Sequence, residues 1–262
     1  MTQQTFRRAV VTGASAGIGA AIATRLASHG TDLVLVARRA DALDELGARL
    51  QRTHGVTATT LVADLTAPDD LEAVATRLEA TPNVDLVVNN AGYGTIGPIA
   101  SSGLAAELGQ VSLNMSARTV LSIRAANHFR ARGAGGILNL SSMAAWTPAA
   151  NNATYSASKA YVSSFTEALH AELRGTGVHV TCLAPGFTRT EFHDASDWEV
   201  GDVPAAAWTS AEAVAEAGLA ALGANRAVCV PGVANKVVTG LARALPAGIS
   251  RRVTGLVANR LG

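Results

Sequence analysis

Lysine is nearly absent from this 262-residue chain: of its 21 basic residues only Lys159 and Lys236 are lysines, and arginine carries the positive charge everywhere else. A lysine kept in such a sequence is a candidate for a task that arginine's wide planar fork cannot perform. Charge of either sign is also sparse, 16% against 48% hydrophobic residues, and the net charge is +1. That balance excludes the basic footprint of nucleic-acid binding and predicts a large interior or subunit interface. Cysteine is limited to Cys182 and Cys229, both in apolar, strand-like segments without metal-site spacing. Buried thiols of a cytoplasmic protein are expected, with no metal. No apolar run approaches the ~18 residues of a membrane span, and the first ten residues lack the apolar core of a signal peptide. Acidic residues stop at Glu216, while Arg226, Lys236, Arg243, Arg251, Arg252 and Arg260 follow.

What is present is an alternation of short apolar runs with longer Ala-rich helical patterns. Seven runs read as strands: Ala9–Thr12, Leu33–Val36, Thr59–Ala63, Leu86–Val88, Gly136–Leu140, Val178–Leu183 and Ala227–Val230. Continuous apolar strands separated by helices predict an α/β, doubly wound fold with a seven-stranded parallel sheet and helices on both faces. Its ligand crevice lies at the carboxyl ends of the strands. The length suits one domain over 1–262. The polar interruption at about 191–210, with Pro204, Trp198 and Trp208, reads as a substrate lid. Residues 233–262 read as basic, apolar C-terminal helices, packed on the body or a sister subunit, or facing anionic lipid or a carrier-bound substrate.

Directly after the first run comes Thr12-Gly13-Ala14-Ser15-Ala16-Gly17-Ile18-Gly19, opening a helix. Glycines there permit a tight turn and close approach to a pyrophosphate, and the helix N-terminus supplies unpaired N–H groups. The second run ends Val36-Ala37-Arg38-Arg39, with no carboxylate where an NAD-binding protein would place one on the ribose. Arg38 can pair with a 2′-phosphate, and Ser15 can add a donor, so NADP(H) is favoured. The plainer alternative is that Arg38 and Arg39 start a solvated helix. Asp64 either accepts from the adenine amino group or belongs to a helix cap at Thr66.

Tyr155 and Lys159 stand four residues apart and share a helix face. A cation beside a phenol stabilises phenolate, although reaching neutrality takes roughly 3 pH units and calls for a second positive charge. Taken alone, the pair could equally be a tyrosine stacked on a lysine stem.

In order along the chain stand the glycine turn, Asn89-Asn90-Ala91-Gly92, a serine thirteen residues before Tyr155, Tyr155 to Lys159, and Pro185-Gly186. Jointly these motifs resemble the short-chain dehydrogenase/reductase family, in its compact, single-domain, NADP(H)-preferring branch, and imply a Rossmann fold. The resemblance implies Tyr155 as general acid, Ser142 as donor to the same oxygen, Lys159 on the ribose, and Asn114 holding a water in a proton relay. Ser142 is preferred to its neighbour Ser141 by spacing. The cofactor set it implies is Gly13, Ser15, Ala16, Gly17, Ile18, Gly19, Arg38, Arg39, Asp64, Leu65, Asn90, Ala91 and Gly92, with Tyr155 and Lys159. The loop after the sixth run adds Pro185, Gly186, Phe187, Thr188 and Thr190.

The function expected is reversible hydride transfer between NADP(H) and a ketone or aldehyde, favouring reduction. Tyr93, Met143, Ala144, Trp146, Phe192 and Trp198 are expected around an apolar substrate. Kept as alternatives are a fatty-acyl or steroid-type ketone reductase at a membrane surface and a catalytically silent NADPH-binding sensor. An Ala-rich helical surface suits a homodimer or homotetramer.

Overall fold

The computed structural model describes residues 6–190 and 208–244. The chain alternates β1 (Arg8–Thr12), α1 (Gly17–Ser28), β2 (Asp32–Ala37), α2 (Ala40–His54), β3 (Ala58–Val62), α3 (Pro68–Ala80) and β4 (Val84–Asn89). It continues through α4 (Leu104–Val111), α5 (Arg118–Arg132), β5 (Gly135–Leu140), α6 (Ala153–Glu172), β6 (Val178–Leu183) and β7 (Thr188–Arg189). After the undescribed segment come β8 (Thr209–Ser210), α7 (Ala211–Gly223), β9 (Val228–Cys229) and α8 (Val233–Ala244).

Seven parallel strands lie in the order β3-β2-β1-β4-β5-β6-β9. The winding direction reverses between β1 and β4, which splits the carboxyl ends of these strands and opens the crevice there. The strands are apolar on both faces because both are covered. Val11, Leu35 and Val88 pack with Ile22, Leu43 and Leu222 from α1, α2 and α7. Their neighbours Val10, Val36 and Val87 pack on the other face with Leu78, Leu121 and Phe129 from α3 and α5. Each such fully buried aliphatic contributes about 2 kcal/mol, so the two layers hold the strand ends rigidly.

Two local features depart from the sequence reading. A second, two-stranded sheet pairs β7 with β8 in parallel, Thr188 opposite Thr209 and Arg189 opposite Ser210. The last two residues of the expected lid are thus strand, and 191–207 lie outside the described residues, together with Phe192 and Trp198. Helix α3 starts at Pro68 with Ala67 at its cap. Thr66 is not the cap because Asp64 Oδ1 accepts both its N–H, at 2.9 Å, and its hydroxyl, at 2.8 Å, closing an Asx-type turn first. Of the expected C-terminal helices, α8 is described and 245–262 are not. Among the described residues no helix is long and apolar enough to cross a membrane, and no cluster of potential metal ligands occurs.

Candidate active site

The crevice is assembled first at its phosphate end. Gly13 adopts φ +64°, and a Cβ there would stand 2.7 Å from Asn90 Nδ2, while a Cβ on Gly19 would collide with the Gly13 carbonyl. Only glycine permits both the left-handed turn and this contact between helix and strand. Helix α1 begins without a side-chain cap and without an acid in its first turn. Its N–H groups and positive dipole end are therefore left to an anion. The Thr190 side chain lies against Gly17, bringing the Pro185–Thr190 loop to the same turn.

Asn90 ties this turn to the end of β4. Its Nδ2 donates to the carbonyls of Thr12 and Gly13, each at 3.0 Å, and its backbone N–H donates to Thr12 Oγ1. That threonine hydroxyl also accepts from Ala91 N–H and donates to the Val88 carbonyl, so no part of it is wasted. Beneath, Asn89 donates to Ser122 and Asn139, and Asn139 to Thr166, a buried polar ladder crossing from β4 through β5 to α6.

At the adenosine end β2 finishes at Ala37, with Arg38 and Arg39 exposed. Arg39 folds back, its Nε 3.3 Å from Ser15 Oγ and its Nη2 3.1 Å from the Ser15 carbonyl. Arg38 is close enough to Asp64 to help hold that carboxyl below its ordinary value, behind the two Thr66 hydrogen bonds. Leu65, expected at the cofactor, is buried in the α3 and α5 core layer.

Tyr155 and Lys159 project from α6. Lys159 is 5% exposed, donates to the Leu140 carbonyl at 3.2 Å, and stands 5.5 Å from the centre of the Tyr155 ring. The ring itself lies on Gly94. Of the adjacent serines, Ser141 turns inward, donating to the Lys159 carbonyl and accepting from the Ser163 hydroxyl, both at 2.8 Å. Ser142 is the one hydrogen-bonded to the Tyr155 hydroxyl. Strand alternation separates the two.

The electrostatics differ from the sequence expectation in one respect. Burial raises the Tyr155 hydroxyl above its ordinary value, opposed by the Ser142 hydrogen bond and the charge of Arg118. Burial, and after it the same Arg118 charge, push the proton affinity of Lys159 itself well down. Arg118 escaped the sequence reading. The signal available was its place four residues after Asn114, on the buried face of a helix whose next residues on that face are apolar.

Asn114 sits in a single π-type turn, Ser112–Ala117, joining α4 to α5. Such wider turns accumulate at functional sites. Its side chain is spent on protein partners: Nδ2 donates to the Tyr93 carbonyl at 2.8 Å and Ser158 Oγ at 3.1 Å, and Oδ1 accepts from Tyr93 N–H. A Cβ on Gly92 would stand 2.7 Å from Asn114 Oδ1 and 3.6 Å from Lys159 Nζ, so Gly92 keeps the two side chains in reach of each other.

The side expected to face substrate is aromatic. Phe187 packs on Trp208, centroids 5.6 Å apart, and receives a backbone hydrogen bond from Thr209. Trp146, after the short turn Met143–Ala145, is covered by the Arg243 guanidinium at 5.1 Å, and Arg243 also pairs with Glu167. Asn235 of α8 packs on Gly186. Tyr93 does not join this group, since its hydroxyl donates to the Ala106 carbonyl on α4.

A phosphate-binding turn at the switch point, with a tyrosine, serine and lysine beside it, defines a dinucleotide-dependent oxidoreductase of the Rossmann type. The model of the family described as short chain dehydrogenase matches residues 7–199, and the chain belongs to the short-chain dehydrogenase/reductase family. It is similar to a galactitol 2-dehydrogenase (L-tagatose-forming) of Cereibacter sphaeroides, 36% identical over 185 residues, 70% of this chain and 72% of the relative. Among solved structures it resembles a short-chain dehydrogenase from Sphingobium yanoikuyae in complex with NADPH, with TM-score 0.83 and 32% identity over 92% of this chain and 97% of that one. It also resembles the bulky-bulky ketone specific alcohol dehydrogenase from Comamonas testosteroni, with TM-score 0.79 and 30% identity over 93% and 96%.

Proposed function

We propose that this protein is an NADP(H)-dependent carbonyl reductase acting reversibly on an apolar, bulky ketone. The observation that carries the reading is the Tyr155 hydroxyl held between Ser142 and the Lys159 side of α6, at the carboxyl ends of the central strands. The nicotinamide, when bound, supplies hydride to the carbonyl carbon or accepts it from the alcohol.

The residues present suit that cofactor. Gly13 to Gly19 and the bare start of α1 would take the diphosphate, with Thr190 beside them. Ser15, Arg38 and Arg39 would take a 2′-phosphate. Lys159 would meet the nicotinamide ribose. The 2′-phosphate reading is supported by Arg39 already resting on Ser15 and by the NADPH in the Sphingobium enzyme.

Ser142 donates to the carbonyl oxygen and fixes it beside Tyr155, which gives its proton as negative charge develops there. In the oxidising direction the same phenol takes the proton back. Burial raises the Tyr155 hydroxyl above its ordinary value, so the protonated form, the one that acts as acid in reduction, is the resting form. Apolar specificity is supported by Trp146, Phe187 and Trp208 on one side of the crevice and by the Comamonas relative's bulky ketones.

The test is NADPH consumption against a panel of alkyl, aryl and steroid ketones, keto sugars and aldehydes, with Tyr155→Phe in parallel. Turnover of bulky ketones that falls by about three orders of magnitude in Tyr155→Phe, with NADPH binding kept, is expected. A fully active phenylalanine variant, or activity confined to keto sugars, would overturn the assignment.

A further inference from the structure

Arg118 opens α5 and lies beneath the site. It is 3% exposed, and its three hydrogen bonds all go to backbone carbonyls: Nε to Asn89 at 3.2 Å, Nη1 to Asn114 at 2.5 Å and Nη2 to Ala91 at 2.9 Å. Among the described residues no carboxylate pairs with it. The adjoining cavity, lined by Thr12, Leu65, Asn89 and Leu113 among others, has a volume of about 10 Å³. That is marginal for one water and excludes a hydrated counter-ion. An ion buried without a counter-charge is costly, and carbonyl dipoles offset only part of that cost. A residue serving packing alone would not carry the charge.

The three carbonyls belong to three parts of the site. Asn89 ends β4, Ala91 follows the asparagine that grips Thr12 and Gly13, and Asn114 is the residue in the π-type turn whose side chain holds Tyr93. One planar fork spans them, and a point-charge ammonium could not. The same guanidinium bears on both Tyr155 and Lys159. The other titratable group facing this cluster, Cys182 on β6, has its thiol pushed up to about 11 by burial and is neutral. Arginine remains charged even with burial lowering it to about 10, whereas Lys159 in that field gives its proton up far more readily.

We propose that Arg118 is a positioning residue of the reaction: it clasps the Asn89–Ala91 turn to the helix break at Asn114 and supplies a permanent positive charge to the Tyr155–Lys159 pair. The inference deepens the proposed function, because it rests on Tyr155 as the proton donor. A fixed cation disfavours a proton on either member of the pair. The pair therefore titrates at lower pH as a unit, whichever member holds the last proton.

The experiment needs no ketone. The NADP⁺ complexes of the parent protein, Arg118→Met and Arg118→Lys are titrated by ultraviolet difference absorption, each against its own Tyr155→Phe counterpart, and NADPH affinity and thermal midpoints are measured alongside. Arg118→Met is expected to move the Tyr155 phenolate step up by about one pH unit. Arg118→Lys is expected to weaken NADPH binding by roughly ten-fold through loss of the fork, since a hydrogen bond to a charged group is worth about that much. A folded Arg118→Met protein with the parent's phenolate step overturns the charge role. If Arg118→Met does not fold, Arg118→Lys decides, and parental NADPH affinity there overturns the clasp. A protein that reduces no ketone still returns a Tyr155 step, so failure of the proposed function is read separately.

Discussion

The two walls of the crevice are held by different forces. The proposed cofactor wall is stitched by hydrogen bonds between residues far apart in sequence: Asn90 to Thr12 and Gly13, Arg118 to Asn89 and Ala91, Lys159 to Leu140. The proposed substrate wall is held by ring contacts, Phe187 on Trp208 and Arg243 over Trp146, with the two-residue strands β7 and β8 beside the first pair. Directional bonds define one geometry and suit a ligand that never changes. Ring and cation contacts are broad in angle and tolerate rearrangement, which suits a pocket whose contents vary within one family. The relatives support this contrast, since a sugar alcohol dehydrogenase and a bulky-ketone dehydrogenase both resemble the same chain.

That contrast can be broken from either side. The largest effect is expected from Lys159→Arg, which keeps the charge but forces a wider group between Leu140, Gly92 and the Tyr155 ring. A loss of kcat/KM by about two orders of magnitude follows if geometry rather than charge is critical. Parental activity would show that this wall is less exacting than its hydrogen bonds suggest. Next comes Asn90→Ala, which removes both amide bonds to the glycine turn. It should cost about 2 kcal/mol in unfolding free energy and weaken NADPH binding, checked by denaturant titration and cofactor fluorescence.

Arg38→Asp is smaller and selective: the NADPH/NADH ratio of kcat/KM should fall by about ten-fold, with bulky-ketone preference unchanged. An unaltered ratio would leave Arg39 and Ser15 as the only candidates for the 2′-phosphate. The smallest effect belongs to the other wall. Trp146→Ala should leave the thermal midpoint and NADPH affinity near parental values and change relative kcat/KM among bulky ketones by roughly three-fold to ten-fold. If Trp146→Ala instead abolished cofactor binding, the division into two walls would fail.

Much of the cofactor wall was legible in the sequence. Glycines at the first turn, the absence of an acid after β2, and Ser142 thirteen residues before Tyr155 are local patterns that report local chemistry. Seven strands could be read because parallel strands covered on both sides are continuous apolar runs. Contacts across the fold were harder to see. Arg118 looks like any surface arginine until the helix break turns it beneath the site, and Tyr93 looked like a pocket aromatic until its hydroxyl was found on Ala106. The two-residue pairing of β7 with β8 left no periodicity to detect, since each strand is shorter than one repeat of alternation needs. Lysine scarcity pointed to Lys159, which lies buried beside the Tyr155 ring, but nothing in that scarcity announced the second buried cation, Arg118, whose charge bears on the same phenol.

The small β7 and β8 pairing has a consequence for engineering. Parallel neighbours lie about 4.8 Å apart, so the chain that departs after Arg189 is again beside that residue at Ser210. Whatever connects these positions is grafted at a single doorway, outside the seven-stranded sheet. Any exchange made between them must keep its two described ends, Thr190 against the Gly17 turn and Trp208 on Phe187.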